Sequence, residues 1–128
     1  MVVDSSALIS ILLEEPGYEV LLEKAGRADA VFLGAPTALE TAMVLSTRFR
    51  KDARPMLAGF LRRMNAQIVE FNQEHYEVAM SAFLRFGKGK HPAALNFGDC
   101  MSYALAATSG QLLLFSGTDF SRTDIKAA

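Results

Sequence analysis

Short runs of β-branched and apolar residues alternate along this chain with longer stretches of helical spacing, and that alternation narrows the folds open to it. Met1-Val2-Val3, Val31-Phe32-Leu33, Ile68-Val69-Glu70-Phe71 and Leu112-Leu113-Leu114-Phe115 have the length and composition of buried strands. Between the first two, residues 5–13 set Leu8, Ile9 and Leu12 at helical spacing. Pro16-Gly17 breaks the pattern, and residues 18–25 form a second helix with Val20, Leu21 and Ala25 turned inward. Pro36 stands near the start of a helix that runs to Phe49, where its missing N–H costs nothing. Residues 57–64, 74–86 and 97–108 are helical, the last closed by Gly110 as a C-cap, with residues 87–92 as a loop and Gly117 opening a turn. Strands separated by helices imply right-handed crossovers and a mostly parallel sheet, an α/β fold. In such folds the functional residues gather at the carboxyl ends of the strands.

The 128 residues suit one domain spanning 1–128. With 51% hydrophobic and 21% charged residues, the chain has the material for a packed core and is not of disordered type. Its longest apolar runs are strand-sized, far short of the about 20 residues of a membrane span. The start, Met1-Val2-Val3-Asp4, carries no basic region or cleavage signature, and Cys100 has no partner for an intramolecular disulfide. Together these features point to the cytoplasm. A net charge of −1 argues against a protein that binds nucleic acid through bulk charge. Two local basic clusters remain, Arg48 to Arg63 and Arg85 to His91, and a solvated face or loop is the plainer reading of each.

Four acids fall where the sheet edge is expected. Asp4 ends the first strand, and Asp119 follows the fourth by a few residues. Asp99 lies in the first turn of the helix leading into the fourth strand, and Glu40 in the first turn of the helix after the second. Taken singly, three have an ordinary explanation. Asp4 before Ser5 and Ser6 caps a helix, Asp99 three residues after Asn96 makes a capping-box-like start, and Asp119 after Gly117-Thr118 belongs to a turn. Glu40 resists that treatment. Its helical neighbours are Thr37, Met43 and Val44, a partly apolar side on which an unpaired carboxylate is costly to bury and calls for a cation. Carboxylates gathered together repel one another, and a divalent ion removes the penalty. Oxygen ligands select hard cations such as Mg²⁺ or Mn²⁺, which suit hydrolysis of a phosphodiester.

The motifs around these acids resemble those of the PIN-domain family. Asp4-Ser5-Ser6-Ala7-Leu8-Ile9 is similar to its opening motif. Pro36-Thr37-Ala38-Leu39-Glu40 with Val44 resembles the second, and Phe97-Gly98-Asp99-Cys100 with Ala104-Leu105-Ala106 the third. Leu112-Leu113-Leu114-Phe115-Ser116-Gly117-Thr118-Asp119-Phe120 resembles the fourth. The four stand in order over residues 1 to about 125, and the size resembles that of a VapC-type toxin. The resemblance implies a three-layer α/β/α sandwich with strand order 3-2-1-4-5, the fifth strand near Ile125. It implies Mg²⁺- or Mn²⁺-dependent endoribonuclease activity. Asp4 and Asp99 would be metal ligands, Glu40 and Asp119 would complete the acidic pocket directly or through water, and Ser6 and Thr118 would support them by hydrogen bonds. It further implies a homodimer and a VapB-like antitoxin whose tail blocks the pocket. Asp124, five residues past Asp119, is left outside the core site.

His75 and His91 fit no metal-ligand spacing, and Cys100 is read as a small hydrophobe. Gly87-Lys88-Gly89-Lys90 lacks the spacing of a phosphate-binding loop, although as a mobile loop upstream of Asp99 it could touch an RNA backbone. The helix carrying Leu22 is a candidate dimer face. Two other functions fit the same residues: a binding module of this fold whose acidic pocket is filled by a partner's basic side chain, and a nuclease acting on DNA or flap structures.

Overall fold

The computed structural model describes residues 1–128. In chain order the elements are β1 (Val2–Val3), α1 (Ser5–Leu12), α2 (Tyr18–Gly26), β2 (Val31–Gly34), α3 (Ala35–Phe49), α4 (Arg54–Arg63), β3 (Ala66–Val69), α5 (Gln73–Phe86), α6 (Phe97–Ser109) and β4 (Leu113–Leu114), followed by a 3-10 turn, Phe120–Arg122. The strands form one parallel sheet in the order β3-β2-β1-β4. The fifth strand expected near Ile125 is reduced to one bridge. Leu113 donates to the Lys126 carbonyl and accepts from Ala128 N–H, a parallel pairing on the outer edge of β4.

Alternation along the strands splits the core between two faces. Val2 and Leu113 pack with Cys100, Tyr103 and Ala104 of α6 and Ala79 and Ala82 of α5. Val3 and Leu114 face the other way, against Ala7, Leu8 and Ile11 of α1 and Leu57, Phe60 and Leu61 of α4. Val31 and Leu33 of β2 share that second face, while Phe32 between them packs on the first. The result is the three-layer α/β/α arrangement.

Several local details differ from expectation. The third strand begins two residues early, at Ala66, because pairing with β2 sets its register: Val31 opposes Ala66 and Gly34 opposes Val69. The fourth helix starts at Arg54, with Pro55 in its first turn, so its proline opens the helix rather than preceding it. On α2, Ala25 is buried but Val20 is 56% exposed, leaving that helix only a narrow inner edge. Gly110 caps α6 in the left-handed conformation, as expected.

Candidate active site

Asp4 is at the centre of the carboxyl edge. It is only 1% exposed and is the N-cap of α1, so the plain reading of this residue holds. Its carboxylate is held on both sides. Oδ2 accepts from the Ser6 backbone N–H at 2.9 Å and from the Ser6 hydroxyl at 2.6 Å. Oδ1 accepts from the Ser102 hydroxyl of α6 at 2.6 Å. Ser6 Oγ in turn accepts from Ser116 N–H at 3.0 Å, which ties Asp4 to the segment leading from β4 to Asp119. Ser102 Oγ lies 3.2 Å from Thr37 Oγ1, which ties it to α3, the helix of Glu40. One buried carboxylate thus links the elements that carry the other three acids.

Asp99 is also placed by a helix start. It is the third residue of α6 and forms a reciprocal capping box with Asn96: its Oδ2 accepts from Asn96 N–H at 2.8 Å, and its own N–H donates to Asn96 Oδ1 at 2.9 Å. Burial pushes its pKa up to about 6; the Asn96 N–H opposes the shift, and the negative charges of Asp4, Asp119 and Glu40 add to it. Asp99 thus feels the charge of each of the other three acids.

Glu40 lies in the second turn of α3 rather than the first, because the helix begins at Ala35. Its Oε2 is buried without a hydrogen-bond partner, the one such side-chain atom in the molecule. The carboxylate rests against the α6 backbone at Gly98, where an added Cβ would lie 2.6 Å from each of its oxygens. It sits in a cleft of about 310 Å³, whose walls include Pro36, Leu39, Met43, Phe97 and Met101. Asp119 is exposed, directly before the turn Phe120–Arg122. Thr118 is exposed too, and it accepts from Ser121 Oγ through its carbonyl. The segment is anchored to Asp4 by the Ser116–Ser6 contact.

The donor set suits a hard divalent cation. It consists of carboxylate oxygens, one of them buried and unpartnered, and the pKa of Asp99 is raised by burial and by the neighbouring acids. No three acidic, His or Cys side chains are drawn close enough to close round an ion by themselves. Uncompensated like charges spread apart, and Mg²⁺ commonly completes its shell with water.

Residues set aside in the sequence have structural roles. His75 is 6% exposed and completes the capping box of α5, its Nδ1 accepting from Asn72 N–H. His91 Nδ1 accepts from Ala93 N–H, and its ring meets Phe86 edge-on. Cys100 is buried, and burial pushes its thiol up to about 11, the behaviour of an inert hydrophobe. Gly87 is required locally, since a Cβ there would strike the Phe83 carbonyl. Asp124 is taken up by partners outside the four acids. It accepts from the Tyr103 hydroxyl at 2.6 Å and pairs with Arg85 at 2.7 Å, and these two partners hold its carboxyl below the usual range.

Ser102, Thr37 and Gly98 were not singled out as site residues in the sequence. A hydroxyl three positions after Asp99 on the same helix face is the one signal that would have found Ser102.

A parallel α/β sandwich with four acids at its carboxyl edge defines a class of protein, and the comparisons with known proteins name it. The PIN-domain family model matches residues 1–126, and the chain belongs to that family. It is 44% identical to a ribonuclease VapC of Mycolicibacterium smegmatis, over 99% of this chain and 98% of that protein. It is 42% identical to the ribonuclease VapC30 of Mycobacterium tuberculosis, over 98% and 95% respectively. The crystal structure of Mycobacterium tuberculosis VapC20, described as a sarcin–ricin loop cleaving toxin, superposes with a TM-score of 0.78 at 17% identity, covering 99% of this chain and 97% of that one. A toxin–antitoxin complex from Klebsiella pneumoniae gives 0.70 at 18% identity, covering 96% and 92%. At such identities these two structures speak for the fold.

Proposed function

We propose that this chain, as a single domain spanning residues 1–128, is the toxin ribonuclease of a VapBC-type toxin–antitoxin system and that its activity depends on Mg²⁺ or Mn²⁺. The observation that carries the metal is the unpartnered, buried Oε2 of Glu40, a charge that needs a counter-ion, beside an Asp99 crowded by three further acids. Asp4 and Asp99 would hold the metal, with Glu40 and Asp119 contributing directly or through water. A divalent ion bound by these residues would supply positive charge toward a phosphodiester and lower the pKa of a bound water.

The chain's own residues do the positioning. Ser6 and Ser102 fix Asp4, Asn96 fixes Asp99, and Gly98 lets Glu40 lie close to α6. Asp119 is exposed and so open to substrate. Lys88, Lys90 and Arg122 are exposed on the loop before Asp99 and on the turn after Asp119, and Arg122 reaches the Pro92 carbonyl at 3.4 Å. These cations suit the RNA phosphate backbone, whose contacts fix position without reading sequence.

The partners follow the same reading: an RNA substrate, a VapB-like antitoxin and a second copy of the chain. Tyr76, Met80 and Leu84 recur every four residues along α5 and are exposed, and Phe97 is 78% exposed. We assign the homodimer to this apolar row. Leu22 and Val20 on α2 are exposed too. No helix is long and apolar enough to cross a membrane. The buried free thiol of Cys100 suits a cytoplasmic protein.

Matched RNA and DNA oligonucleotides, incubated with Mn²⁺ or EDTA, test the proposal. RNA cleavage that EDTA abolishes is the expected result. Equal or preferential cleavage of DNA would move the assignment to a DNA nuclease. No cleavage of either, by folded protein free of antitoxin, would favour a binding module.

A further inference from the structure

We propose that Ser102 and Thr37 are positioning residues for the Asp4 carboxylate, forming an ordered pair of buried hydroxyls that leaves it one open acceptor site, on Oδ1, for the metal. The inference rests on the reading of Asp4 as a metal ligand.

Lone pairs and protons can be counted at this carboxylate. An ionised carboxylate offers about four acceptor sites, two on each oxygen. Oδ2 uses both of its sites, for the Ser6 N–H and the Ser6 hydroxyl. Oδ1 uses one, for the Ser102 hydroxyl at 2.6 Å. The one acceptor site of Asp4 without a protein donor is therefore on Oδ1, the oxygen that Ser102 holds.

The hydroxyl order follows from the same count. Ser102 has one proton and gives it to the carboxylate, the stronger acceptor. Its contact with Thr37 at 3.2 Å must then run from the Thr37 hydroxyl to Ser102 Oγ. Both residues are nearly sealed from solvent, Ser102 at 1% and Thr37 at 2% exposed, so the order is not scrambled by water. The chain Thr37 to Ser102 to Asp4 crosses from α3 to α6 to the end of β1. It couples the Asp4 carboxylate to the helix of Glu40 and the helix of Asp99. Without the Ser102 hydroxyl, Oδ1 would have two open sites and the carboxylate could rotate, so its alignment toward the ion would be lost. Groups that orient a ligand from behind commonly change metal affinity by about 10–100-fold.

The test is a Mn²⁺ titration of metal-free protein, followed by the electron paramagnetic resonance signal of free Mn²⁺, with circular dichroism melts to verify folding. Ser102→Ala is expected to weaken Mn²⁺ binding by about 10–100-fold while the protein stays folded. Thr37→Val keeps the shape but removes the donor, and it should weaken binding by a smaller factor. Thr37→Ser keeps the hydroxyl and should bind as the wild type does. If Ser102→Ala does not fold, the contrast between Thr37→Val and Thr37→Ser decides the question. Wild-type affinity in folded Ser102→Ala, or no difference between the two Thr37 variants, would overturn this inference and leave the metal reading standing. A wild-type protein that binds no Mn²⁺ would overturn both.

Discussion

Glu40 lies so close to Gly98 that a single methyl group at Gly98 would stand 2.6 Å from both carboxylate oxygens. The obstacle is the end of a flexible side chain, so Gly98→Ala should leave the fold intact and displace Glu40 instead. Alanine is ordinarily the better helix residue by roughly 0.5–1 kcal/mol. We expect stability within about 1 kcal/mol of wild type, with RNA cleavage reduced by about 100-fold, the scale of a small misplacement in an active site. A thermal melt beside a cleavage assay checks this. An active Gly98→Ala would mean that the position of Glu40 is unimportant.

Asp99 sets stability against function. Its pKa in the folded protein is about 6, above the usual 3.8, so the folded state favours the protonated acid. The fold has its full stability from this group below pH 3.8 and loses it as pH rises through about 6. Asp99→Asn keeps an oxygen to accept from Asn96 N–H while removing the charge. In EDTA at pH 7 we expect the variant's Tm to be higher by about 3–5 °C, roughly 1 kcal/mol for a domain of this size. The gain is held to that scale because Asp99 is partly exposed and water screens its charge. The advantage should vanish below pH 3.8, as melts across pH would reveal. A variant less stable than wild type at pH 7 would show that capping outweighs repulsion.

Asp124 provides the contrast. Its carboxylate is taken up by Tyr103 and Arg85, and the ion pair is about half exposed on both sides. Exposed pairs contribute little to stability. Asp124→Ala should lower Tm only slightly and leave cleavage unchanged, whereas Asp119→Ala should abolish cleavage. Loss of activity in a folded Asp124→Ala would place that residue inside the site.

The apolar row on α5 predicts a change of assembly. Met80→Glu puts a charge between Tyr76 and Leu84, on the solvent side of a helix whose inner face is unaltered. The expected result in sedimentation velocity is a dimer for the wild type and a folded monomer for the variant. A dimer that persists would move the interface elsewhere, with the exposed side of α2 as the next candidate.

The parts of this molecule that were legible in the sequence are those encoded locally. Strand and helix periods, the Gly110 cap and the sequence positions of the four acids can each be read within a few neighbouring residues. The capping roles of Asp4 and Asp99 were legible too. Capping does not compete with a role in a site, because a helix that starts at the carboxyl edge of a sheet aims its cap residue there. What was not legible depends on long-range pairing. Ser102 reaches Asp4 across 98 residues, and in an Ala-rich helix it reads as filler. The register of β3 is set by β2, and the fifth strand has only Leu113 to pair with. Val20 fits a helical pattern, but α2 covers too little of the core to bury it.

The most direct test of the acidic site is cleavage of total cellular RNA by purified protein in Mg²⁺, in Mn²⁺ and in EDTA, beside Asp4→Ala and Asp99→Asn. The predicted result is a set of discrete products that require the metal and disappear in both variants, each verified as folded. Undiminished cleavage by folded Asp99→Asn, or by the wild type in EDTA, would contradict it.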